Sequence, residues 1–140
     1  MKDTFEMEFE KFAERQKRTA SIGRLEHLER DLIGTKKLFQ EALFPVFKSF
    51  DGFTLEHEIV SVSGVHIYID AFYAPLNFAF ESEGFAVHAE KITRDRFSFE
   101  RMRVRTMAMY GYRYIPFTWD ELDKHAERSR RAVYELLGGY

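Results

Sequence analysis

The apolar residues of this 140-residue chain keep a helical period to about residue 45, alternate from about residue 53, and return to the helical period near residue 93. A period of two sends successive side chains to opposite faces of a sheet, whereas a period near 3.6 gathers them on one stripe of a helix. The order this dictates is helices, three strands, helix, strand, helix. No internal repeat or linker interrupts it. The expected fold is one α/β (α+β) layer structure with a mixed sheet of about four strands flanked by helices.

Residues 3–18 place Phe5, Phe9 and Phe12 on one stripe among charges. That predicts an amphipathic helix within residues 1–20, ahead of a single domain at 21–140, docked either on its own core or on a partner such as a second copy in a homodimer. Leu25, Leu28 and Leu32 form a second stripe. Thr35 reads as the N-cap of a helix with Leu38, Ala42 and Leu43 inward, and Pro45 predicts its end. Strands at 53–62 and 65–70 meet at Ser63-Gly64, a turn of hairpin length. Val65, Ile67 and Ile69 share one face, while His66, Tyr68 and Asp70 share the other, with Asp70 near the strand end. After Pro75, residues Leu76, Phe78 and Phe80 share a face, so Glu81 and Glu83 project together from the opposite one. Thr93 caps a helix reaching Tyr110, with Phe99, Met102, Thr106 and Met109 inward and Gly111 as the stop. Residues 112–117 form a short strand. Thr118 and Glu121 then make a capping box for a last helix carrying Trp119, Leu122, Ala126 and Val133.

A hydrophobic content of 45% with 16% aromatic residues supplies a real core and excludes disorder. With no Cys, disulfide frameworks, thiolate zinc sites and Cys nucleophiles are excluded, and the composition fits a reducing, cytoplasmic setting. The acidic start and the interruption of the longest charge-free apolar stretch (71–80) by Pro75 and Asn77 predict neither a signal peptide nor a membrane span.

The net charge of −2 hides a segregation. Residues 49–90 contain no Lys or Arg but seven acids: Asp51, Glu56, Glu58, Asp70, Glu81, Glu83 and Glu90. Residues 91–113 reverse this, with Lys91, Arg94, Arg96, Arg101, Arg103, Arg105 and Arg113 against Asp95 and Glu100. Carboxylates brought together at Asp70, Glu81 and Glu83, with His88 following, would repel, and a divalent cation relieves that repulsion. Oxygen donors favour Mg or Mn over zinc. On spacing alone an exposed acidic strand end reads equally well. By itself a lone His such as His88 is more often a structural hydrogen-bonding residue, and Glu41 is more readily a solvated helix residue than a ligand. The arginines of the 93–110 helix have too few acids beside them for an ordinary solvated face and suit phosphate. No glycine-rich nucleotide loop, H-E-x-x-H helix or G-x-S-x-G elbow is present.

A helix with Glu41, an Asp70 strand, E-x-E at Glu81–Glu83, a basic helix, G-Y-R-Y-I-P-F and a final helix together resemble the PD-(D/E)-x-K, or restriction-endonuclease-like, nuclease fold. More closely, E-S-E-G-F-A-V-H (81–88), Arg103, Gly111 and the strand after it resemble the very-short-patch-repair-like branch of bacterial endonucleases, over about residues 35–125. The resemblance implies Asp70 as the metal-bridging Asp, Glu81 as the second acid of the signature and Ser82 as a backbone carbonyl ligand. It further implies His88 as general base and Glu41 as the helix-borne Glu of the wider fold. Glu83 stands where the signature has Lys and the branch has Asp, and Pro116-Phe117 stands where an Arg-Phe pair is usual. The expected function is a metal-dependent DNA endonuclease holding Mg or Mn on Asp70, Glu81 and Ser82, with Glu83, His88 and Glu41 beside them. Lys91, Arg94, Arg96, Arg101, Arg103 and Arg105 then bind the nucleic acid. The alternative is a catalytically inactive module of the same fold that binds nucleic acid or a protein.

Overall fold

The computed structural model describes residues 3–84 and 93–138. An N-terminal helix, α1 (Thr4–Arg18), is capped by Asp3, whose carboxylate accepts from the Glu6 amide. Its Phe9 and Phe12 are buried in the chain's own core, where Phe12 stacks on Phe50 at 4.6 Å and Phe5 packs edge-on against Phe44. The phenylalanine stripe is therefore used internally.

Helix α2 (Ile22–Leu28) follows, capped by Ser21. Helix α3 (Ile33–Leu38) begins two residues before the expected Thr35 cap, because the Asp31 carboxylate already accepts from the Ile33 amide. Thr35 lies inside the helix and is buried. Nor does Pro45 end the helical run. A π-helical turn (Phe39–Leu43) leads into α4 (Phe44–Phe47), with Pro45 in its first turn, and the chain leaves the helix at Lys48 in the left-handed region (φ 64°). Proline has no N–H for the Glu41 carbonyl. Arg130 Nη1 donates to that oxygen instead, at 3.1 Å, so the carbonyl keeps a partner.

Strands β1 (Phe53–Val60) and β2 (His66–Tyr73) form the expected hairpin, closed where the Gly64 amide donates to the Ser61 carbonyl at φ +86°. A 3₁₀ turn (Ala74–Leu76) takes in Leu76, which is exposed rather than aligned with Phe78. Strand β3 (Phe78–Glu83), helix α5 (Arg94–Met109) and strand β4 (Arg113–Thr118) follow. The sheet order is β1-β2-β3-β4, with β1/β2 and β2/β3 antiparallel and β3/β4 parallel, so α5 is the crossover helix of a β-α-β unit. The protein is thus α+β, a four-stranded mixed sheet flanked by helices.

Two apolar clusters cover the sheet. One joins α1, α3, the π-turn and the last helices to Phe53, Leu55, Phe78, Phe80 and Phe117. The other joins Met102 and Met107 of α5 to Ile59, Ile67, Ile69, Phe72 and Ala79. Met107 takes the inward place expected for Met109, which is 69% exposed. The expected last helix is two, α6 (Trp119–Lys124) and α7 (Ala126–Leu136), divided at His125, whose backbone (φ −134°, ψ 43°) is not helical. The Thr118–Glu121 capping box is formed as expected.

A carboxylate rung facing a buried arginine

Strand β2 runs through Asp70 to Tyr73, so Asp70 lies within the strand, not at its end. The β1/β2 ladder pairs Leu55 with Ala71 and His57 with Ile69, but omits Glu56 and Asp70 between them. Here the strands exchange faces: Leu55 and Ala71 belong to the phenylalanine cluster, Ile59 and Ile69 to the α5 cluster. Glu56 carries the twist, with φ +48°. A non-glycine residue in that region costs on the order of 1 kcal/mol or more, and such positions concentrate at functional sites. On the other side, the β2/β3 ladder ends at Ala71–Phe80, so the next rung sets Asp70 opposite Glu81. Glu56, Asp70 and Glu81 therefore occupy one rung across three strands.

Glu81 is 4% exposed and faces α5. Arg103 grips it in a two-pronged pair, Nη2 to Oε2 at 2.7 Å and Nη1 to Oε1 at 3.0 Å, and also donates to Glu100 Oε2 at 3.0 Å and the Tyr68 carbonyl at 2.8 Å. Asp70 Oδ2 accepts from the Ser82 amide at 2.9 Å. Burial, then the charges of Glu81 and Glu56, hold the Asp70 carboxyl well above the usual carboxylate range, against the pull of the Ser82 amide and Arg103. Burial and then Glu81 push Glu56 up to about 7. Burial also pushes Glu81 up, opposed by Arg103, and the paired geometry is that of an ion pair. Burial would lower the Arg103 guanidinium, but Glu81 more than offsets it and raises it. The rung thus holds three carboxylates, with Arg103 paired directly to Glu81 and Arg30 and Arg24 acting on Glu56 from farther off.

A second network ties α2 to the hairpin next to the rung. Tyr68 donates to Glu58 at 2.7 Å, Ser21 donates to the same carboxylate, His66 lies 2.9 Å from it, and His27 stacks on Tyr68 at 3.8 Å. The close approach of α2 depends on Gly23, where a Cβ would lie 2.5 Å from the Tyr68 hydroxyl.

Of the residues expected to act together, Asp70, Glu81 and Ser82 converge. Glu83 points to the α5 side, as alternation requires, but pairs with the Tyr114 hydroxyl. Glu41 lies on the π-turn, which packs on α7, and is not among the charges acting on Asp70, Glu81 or Glu56. Arg103 is turned inward to Glu81 rather than out to a ligand. Arg96 pairs with Glu100 at 2.9 Å, while Arg94, Arg101 and Arg105 are exposed. His88 and Lys91 lie outside the described residues. Glu56 was missed by sequence reasoning, although its place in the base-free acidic segment was visible. Its opposition to Asp70 follows from the hairpin register, which Ser63-Gly64 sets.

Carboxylates and a backbone oxygen are donors suited in kind to Mg or Mn. Among the described residues no three His, Asp or Glu side chains come together as a metal-binding group, and Glu81 is held by Arg103. No described helix is long and apolar enough to cross a membrane. Comparison with protein-family models, with curated proteins and with solved structures gives no match.

Proposed function

We propose that the protein is a metal-dependent deoxyribonuclease of restriction-endonuclease-like fold, in the very-short-patch-repair-like manner that its motif order resembles. The observation that carries the reading is the rung of Glu56, Asp70 and Glu81 beside an arginine-rich crossover helix. The three carboxylates share one directly paired guanidinium, that of Arg103 on Glu81, and the negative charge gathered there is what a divalent cation would neutralise. Asp70, Glu81 and the Ser82 carbonyl are the groups that would hold Mg or Mn. Such a cation would polarise a scissile phosphate and acidify a bound water. The chain's own part is orientation. The Ser82 amide fixes Asp70, Arg103 fixes Glu81, and the exposed arginines of α5 hold the flanking backbone without reading sequence. The general-base role expected of His88 belongs to this reading.

A second reading is favoured by the Arg103–Glu81 pair: a catalytically silent module of the same fold that binds nucleic acid, with Arg103 as permanent counter-ion in place of a metal. One experiment separates the two. Plasmid nicking in Mn²⁺ or Mg²⁺ is measured for wild type, Asp70→Asn and Glu81→Gln, together with calorimetric Mn²⁺ titration. The nuclease reading expects cleavage and Mn²⁺ binding in wild type and loss of cleavage in both variants. Absence of Mn²⁺ binding and of cleavage, with DNA binding intact, overturns it in favour of the silent module.

A further inference from the structure

Arg94, Phe97, Arg101 and Arg105 of α5 recur at intervals of three, four and four, so they share one stripe, and all four are exposed. The stripe runs about 16 Å at 1.5 Å per residue. Phe97 is 53% exposed, and the Arg101 guanidinium lies 5.1 Å from its ring centre. Neither acid of the helix serves the stripe. Glu100 is taken by Arg96 and Arg103, and among the described residues Arg94, Arg101 and Arg105 form no ion pair. The outer faces of the other long helices differ. On α1, Lys17 pairs with Glu14, and on α7, Arg131 faces Glu127. Those are ordinary mixed-charge surfaces.

Three cations with no carboxylate partner among the described residues, grouped around an exposed aromatic ring, match a polyanion that also offers free flat rings. We propose that the outer stripe of α5 binds single-stranded nucleic acid, with Phe97 stacking on an unpaired base and Arg94, Arg101 and Arg105 meeting the flanking phosphates. In a duplex the faces of the bases are covered by their neighbours, so a phenylalanine on a convex helix finds no stacking surface there; an unpaired strand supplies one at each base. A lipid surface is a poorer match, because a membrane-binding helix turns its apolar face outward. Here Met102 and Met107 are turned to the sheet, and the large apolar residues the helix exposes are only Phe97, set among arginines, and Met109 at the far end. This proposal deepens the reading of α5 as a nucleic-acid surface, but it does not depend on a metal or on cleavage.

The test is fluorescence anisotropy in EDTA with a labelled 12-residue oligothymidylate and a labelled 12-base-pair duplex. Phe97→Ala should weaken oligothymidylate binding about 5- to 100-fold and leave duplex binding within about twofold. Phe97→Trp should bind the strand at least as well as wild type, with its indole emission quenched on binding. Arg94→Ala with Arg105→Ala should weaken both ligands and flatten the salt dependence on the single strand by about 0.7 for each phosphate that is no longer neutralised. EDTA removes divalent cations, so wild-type binding to the oligothymidylate under these conditions stands whether or not the nuclease reading fails. Equal affinity of Phe97→Ala and wild type for oligothymidylate, a preference for the duplex, or binding only to phosphatidylserine vesicles overturns the proposal.

Discussion

Removing the Glu56 charge should stabilise the protein, and only above acidic pH. Glu56 sits in a strained backbone conformation opposite Asp70, and its carboxyl is raised from 4.5 to about 7, first by burial and then by Glu81. Its side chain is 12% exposed, so little screening reduces the effect. A group that holds its proton more tightly when folded contributes stability that is fully present below the unfolded value, near pH 4.5. That contribution is lost as pH rises to about 7. The span from 4.5 to about 7, at 1.36 kcal/mol per pH unit, is worth about 3 kcal/mol. Glu56→Gln keeps the shape and removes the ionisation. Urea unfolding in EDTA should therefore find the variant and wild type similar near pH 4.5. At pH 8 the variant should be more stable by about 3 kcal/mol, a midpoint shift of roughly 1.5 M for a slope of about 2 kcal/mol per M. Because the Glu56 charge also raises Asp70, the difference reports Glu56 together with its coupling to Asp70. A stability difference that does not change between pH 4.5 and 8, or a variant less stable at pH 8, refutes the placement of Glu56 in a charged rung.

Arg103→Met leaves Glu81 buried without its partner and should cost about 3–5 kcal/mol at pH 7, whereas Arg103→Met with Glu81→Met should recover most of it; urea melts of the two variants check this, and an equal loss in both contradicts the buried pair. Gly23→Ala drives a methyl into the Tyr68 hydroxyl and should cost about 1–3 kcal/mol. The same substitution in a Tyr68→Phe background should cost less, which thermal melts compare directly. Arg130→Met deprives the Glu41 carbonyl of its donor at the Pro45 break and should cost about 1–3 kcal/mol. Pro45→Ala, by restoring an N–H, should reduce that loss, again read from urea midpoints.

What the sequence determined by itself was the order and type of the elements, because hydrophobic period is a local property. Alternation over 53–83, the Ser63-Gly64 turn and the Thr118–Glu121 box each act within a few residues. The faces of Ile67 against Tyr68, and the shared side of Glu81 and Glu83, followed from the same period of two. Local reading failed where a distant side chain intervened. Pro45 does not stop its helix because Arg130, 85 residues on, serves the carbonyl that proline cannot. Met107 displaces Met109 because the sheet selects which part of a wide helical stripe is covered.

The candidate site divides along the same line. The acids at 70 and 81 and the cationic helix were legible as a segregation of charge, since the base-free stretch is written in the chain. The alignment of Glu56 with them required the strand register. Arg103 read as one more phosphate-binding base of the helix until the crossover laid α5 over β3 and put its guanidinium 2.7 Å from Glu81. Charge along a chain can be counted from the sequence, but electrostatic energy depends on distance and burial. Those two quantities exist only once the sheet has formed.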